Sequence, residues 1–215
     1  MKKAWIFGIL AILVLAAGGT WILKQRDRTD ARAAAAHRKA KVPDNLPLTG
    51  VRSQGGVTIA RLARPEAIDG FPCAADWVHF HESGRLRAFY LGETAAIQGH
   101  GIPEGTWVRL NPDLTLLSCS FPRDTEIEGY VCRGGFGGSE GVTTGFHPGG
   151  RLSAFFPPED IVIHGIPCRA TPFGPVYLYE NGNLRKFTLA RDIVVGGREL
   201  SAGQTVALDE GGNLI

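Results

Sequence analysis

Hydrophobic and polar positions alternate with three different rhythms along the chain. The first is no alternation at all: Ala4 to Leu23 (AWIFGILAILVLAAGGTWIL) holds no charged side chain. Twenty helical residues rise about 30 Å, the hydrocarbon thickness of a bilayer, so this run predicts one transmembrane helix over 4–23 in an anchor segment 1–23. Trp5 and Trp21 stand near its ends, where amphipathic rings favour the interface. Lys2, Lys3 and the small residues Ala16-Ala17-Gly18 also fit a cleavable signal peptide. The apolar run continues to Leu23 before the first charge, which favours an uncleaved signal-anchor.

Residues 24–49 form a second zone, charged and Ala-rich, with helix formers such as Ala33-Ala34-Ala35-Ala36 but no apolar stripe. They predict a solvated stalk or linker, ended by Pro43 and Pro47. From residue 50 to 215 the period becomes two. Val78/Phe80, Val108/Leu110, Val176/Leu178 and Val206/Leu208 alternate with His79/His81, Arg109/Asn111, Tyr177/Tyr179 and Ala207/Asp209, as strands with one buried face do.

These strands belong to a repeat. HFHESGRLRAFYL (79–91), GFHPGGRLSAFFP (145–157) and YLYENGNLRKFTL (177–189) align without gaps, and RLNPDLTLLSCSF (109–121) is a diverged copy. SQGGVTIARL (53–62) looks like the second half of an earlier copy, and VALDEGGNLI (206–215) begins another. Between them recurs a β-branched residue, any residue, then glycine, at Ile68, Ile97, Ile127, Ile163 and Val195, in steps of 29, 30, 36 and 32. The long step contains GGFGGSEG (134–141), read as a loop insertion. Glu-Ser-Gly, Pro-Gly-Gly and Glu-Asn-Gly supply the residues that tight hairpin turns require. After them the apolar anchors fall at spacings of three then two (Leu86, Phe89, Leu91), which predicts a bulge after the turn or apolar residues on both faces. The expected fold is all-β: about five ~30-residue hairpin units in a meander or open solenoid, preceded by the N-terminal helix.

The aromatic-x-x-x-Gly-x-Leu core, from Phe80 to Leu86, Phe146 to Leu152 and Tyr179 to Leu184, resembles the hairpins of MORN-type repeats and related bacterial hairpin-repeat proteins. That resemblance implies a non-enzymatic array making protein or lipid contacts. The period here is longer than the usual MORN unit.

Charge sharpens the division. Residues 1–41 carry nine Lys or Arg against two acids, while residues from 42 onward carry 14 bases and 19 acids, a net of −5. No nucleic-acid partner is expected of an acidic folded portion. Counting bases alone would put the domain inside the cell. A three-residue tail with two lysines resembles the start of an exported bacterial protein, and the reading leans to a single-pass inner-membrane protein with an exported domain.

Candidate chemistry is sparse. Cys73, Cys132 and Cys168 fill one repeat position and Cys119 takes the place of Phe89, Phe155 and Phe187, as small core hydrophobes do. In an exported domain the four are also disulfide candidates. His79 and His81 share a strand face, and His147 is the repeat-equivalent of His81. Asn111 and Tyr179 occupy that place elsewhere, so the set reads as a polar interaction stripe of His79, His81, His147, Tyr177 and Tyr179 and not as a metal site. No catalytic group or cofactor is expected. Trp77 and Trp107 pack at strand starts or form a ledge for sugar or lipid. The expected role is a membrane-anchored repeat module that binds an as yet unspecified protein partner or scaffolds at the envelope. Glycan or lipid binding stands as the alternative, and an enzyme of unrecognised type behind it. A last repeat cut short offers an open edge for self-association.

Overall fold

The computed structural model describes residues 42–135 and 141–215, all of it strand, turn and loop. The expected anchor 4–23 and most of the stalk lie outside the described residues. No helix among the described residues is long and apolar enough to cross a membrane.

The array begins with β1 (Leu48–Gln54) and β2 (Val57–Leu62), joined at Gly55-Gly56. Next, β3 (Glu66–Ile68) folds onto the start of the long β4 (Phe71–Phe80), whose far end pairs with β5 (Leu86–Leu91). The theme then repeats: a short hairpin followed by a long one. Short β6 (Ala95–Ile97) and β7 (His100–Ile102) precede long β8 (Trp107–Leu110) and β9 (Leu116–Ser120). Short β10 (Thr125–Ile127) and β11 (Tyr130–Cys132) precede long β12 (Thr144–Phe146) and β13 (Leu152–Phe155). Short β14 (Ile161–Ile163) and β15 (Ile166–Cys168) precede long β16 (Val176–Leu178) and β17 (Leu184–Thr188). Short β18 (Ile193–Val195) and β19 (Arg198–Leu200) precede β20 (Thr205–Ala207).

Eleven strands make one antiparallel sheet in the order β1-β2-β4-β5-β8-β9-β12-β13-β16-β17-β20, with β3 added on β4. Each short hairpin turns on two residues with positive φ, such as Asp69-Gly70 (50° and 86°) and Glu128-Gly129 (51° and 81°). Such turns match the right-handed twist of the flanking strands, and they are the Ile-x-Gly positions of the repeat.

Each long hairpin turns differently. Gly84 donates its N–H to the His81 carbonyl and His81 to that of Arg85, a pattern repeated at His147–Arg151 and Tyr179–Asn183. One residue then bulges: Ala88 pairs with His79 but Leu86 with Phe80, leaving Arg87 without a cross-strand partner. The same shift recurs in β9, β13 and β17. It explains the three-then-two spacing, because the bulge returns Leu86, Phe89 and Leu91 to one face, where all three are buried.

That face is the core. Phe80, Phe89, Phe155 and Phe187 are buried under the short hairpins, whose Ile68, Ile97, Ile127 and Ile163 join the same cluster. A short hairpin lies back along the strands it covers. Cys73 pairs with Leu91 at the stem, while at the tip Asp69 accepts a hydrogen bond from the Leu86 N–H (2.7 Å). Gln98 does the same for Leu116 (2.5 Å) and Glu128 for Leu152 (3.0 Å). The tip residue thus latches the second layer onto the first.

Candidate functional site

With one face of the sheet covered by hairpins, the opposite face is open. Cross-strand partners run over it without a break from Arg52 through Ile59, His79, Ala88, Arg109 and Ser118. The row continues through Gly145, Ala154, Tyr177 and Lys186 to Ala207. Directly paired side chains share a face, so these residues form one line across all eleven strands.

Charge on the two layers is segregated. The eleven strands carry Arg52, Arg61, Arg87, Arg109, Arg185 and Lys186 against one acid, Asp76. Many acids instead do structural work elsewhere. Asp69 and Glu128 are latches, and Asp124, Asp160 and Asp192 accept backbone N–H groups of Gly134, Ala170 and Ala202 where the short hairpins close. An acidic domain therefore presents a basic sheet face.

The basic groups concentrate at the β2–β8 end, around a groove of about 330 Å³. Its lining includes Val57, Ile59, His79, Arg87, Trp107 and Arg109, with no carboxylate. His79 packs edge-on against Trp107 (5.2 Å between ring centroids), and Tyr90 packs against the same indole (4.7 Å). Arg52 lies over the Trp77 ring, 5.6 Å from its centroid. Burial, then the nearby charges of Arg87, Arg52 and Arg109, hold the His79 imidazole below its usual pKa.

The sequence-predicted stripe divides into two roles. His79 and Tyr177 lie on the open face, in the row just described. His81, His147 and Tyr179 instead tie neighbouring units together. Their ring nitrogen or hydroxyl meets the carbonyls of Leu110 (3.2 Å), Leu178 (3.1 Å) and Leu208 (2.8 Å). Among the described residues no three His, Cys, Asp or Glu are grouped as metal ligands would be.

The four cysteines are free and buried. Burial pushes the Cys73, Cys132 and Cys168 thiols up to about 12 and raises Cys119 as well, so all stay protonated and unreactive at neutral pH.

Sequence reading picked out the aromatic members of this face but missed Arg52 and Arg87 as partners of Trp77 and His79. The usable signal was arginine recurring on the long strands, with Asp76 as the one acid among them. The chain matches no protein-family model, no curated protein and no solved structure.

Proposed function

We propose that this chain is a membrane-anchored, non-enzymatic docking module at the cell envelope, which binds a protein partner with the open face of its sheet. The observation that carries this reading is the segregation of charge. Six basic side chains and one acid lie on the eleven strands of the open sheet, in a domain whose net charge is −5. Such a face costs self-repulsion within the fold and gains from a complementary surface. The fully protonated thiols and the carbonyl-bonded histidines leave these residues to packing and inter-unit ties, which suits binding better than group transfer. Likeness to MORN-type hairpins agrees with a role in interaction, and the apolar N-terminal run would hold the domain beside the membrane.

The test is site-specific photo-cross-linking in living cells. A benzophenone side chain at position 79 or 177 should yield protein adducts. The same group at Val162 or Val194, exposed on the hairpin layer, should not. Adducts only from 162 and 194 would assign docking to the other layer and overturn the proposal.

A further inference from the structure

We infer that the groove at the β2–β8 end takes an acidic peptide segment of the partner, one that alternates carboxylates with apolar side chains. This rests on reading the open face as the docking side and specifies what that side recognises.

The chemistry of the lining sets the class. Val57, Ile59 and Ala88 give an apolar floor, and Arg87, Arg109 and His79 supply positive or protonatable groups beside it. Guanidinium groups flanking a partly dry surface favour carboxylates, because charge-assisted hydrogen bonds strengthen as water is excluded. A ligand matching this floor and rim needs carboxylates and apolar groups a few ångströms apart, as an extended acidic peptide has when it lies edge-on, its apolar row toward Val57, Ile59 and Ala88 and its carboxylate row toward the arginines.

The geometry argues against the competing ligands. Sugars bind by laying a ring face on an indole. Here Trp107 is buried beneath His79 and Tyr90, and the Trp77 ring carries the Arg52 guanidinium. A bilayer needs apolar groups that protrude. On this groove none is fully exposed: Ala88 and Trp107 are each only 3% exposed, and Val57 and Ile59 are half-buried.

The experiment uses the full chain in a non-ionic detergent and two fluorescein-labelled octapeptides, one alternating Asp with Val and one alternating Asn with Val. The Asp–Val peptide should bind at least about tenfold more tightly than the Asn–Val peptide, and increasingly weakly from 50 to 300 mM salt, as screening requires. Replacing the arginines together (Arg87→Gln with Arg109→Gln) should cost about tenfold or more. The pair Arg185→Gln with Lys186→Gln, at the far end of the face, should change affinity less than about twofold. Thermal unfolding of each variant verifies the fold, and the peptide comparison stands without them. Equal binding of both peptides, no binding of either, or equal losses from both variant pairs would overturn the inference. So would binding of phosphatidylglycerol vesicles or polygalacturonate in place of the peptide, which would assign the groove to lipid or glycan. Cross-linking at 79 or 177 with no preference for the Asp–Val peptide would leave the docking face standing and remove only its acidic ligand.

Discussion

His79 combines two conditions that a histidine rarely meets together: partial burial against Trp107 and three arginines nearby. Both disfavour the imidazolium, so the folded chain binds fewer protons there than the unfolded chain does. A depressed pKa of this kind contributes stability that is complete above the unfolded value of about 6.5 and is lost as pH falls through the folded value. The melting temperature should therefore drop between pH 7.5 and 5, and His79→Gln should flatten part of that drop. Identical pH profiles for the two chains would refute the assignment. The columns Val78/Phe80 and Val176/Leu178 were readable in the sequence because period two determines their face. Arg87 was not, since the bulge leaves it opposite no residue, and only the register shows which neighbours it meets.

The short hairpin is the element on which both layers depend, and its tip residue carries a role that the sequence conceals. Asp69, Gln98 and Glu128 differ as amino acids yet each accepts the N–H of a leucine that follows a long turn. The Glu128 side chain also meets the Arg151 guanidinium at 3.1 Å. In the next hairpin the tip is His164, which is exposed and makes no such bond to Leu184. Glu128→Ala should lower stability by about 1–3 kcal/mol, since it strands a buried donor. His164→Glu should raise stability by about 1 kcal/mol by adding the missing latch. Denaturant titration of the two variants measures both effects, and a destabilised His164→Glu would contradict the latch. The recurrence of Ile-x-Gly was legible, but that its last two residues form a positive-φ turn emerged only from the structure. The latch was not legible, because its partner lies 17 to 24 residues away and x varies among acid, amide, imidazole and glycine.

At the scale of the molecule, an open sheet of eleven strands has two edges. Residues 213–215 fold back along the far side of β20, the C-terminal edge. The Asp209 N–H reaches the Asn213 carbonyl and the Ile215 N–H that of Ala207, while Leu208 bridges to Leu214. Residues 213–215 thus occupy the Ala207 end of that edge. Removing residues 213–215 would free the Ala207 carbonyl and should convert the chain to larger species. Light scattering after size-exclusion chromatography would show the shift, and an unchanged mass would mean that the tail does not guard the edge. The number and order of the long hairpins could be read from the sequence because their copies keep the aromatic, glycine and leucine, but the second, short hairpin in each unit was not foreseen. The basic face could not be read either, since it arises only when residues as distant as Arg52 and Lys186 are brought into one row.

The ties from His81, His147 and Tyr179 have a consequence for how such a molecule changes size. Each joins a turn to the carbonyl 29 or 31 residues ahead, always at the same place in the unit. A segment of that length duplicated in the gene would add two strands and one covering hairpin, widen the sheet by about 9.6 Å, and leave every other joint as it was. A segment of half that length would put a short hairpin where a long strand belongs and turn an apolar column to water. Growth therefore comes in whole steps, and the array is a ruler graduated in hairpin pairs.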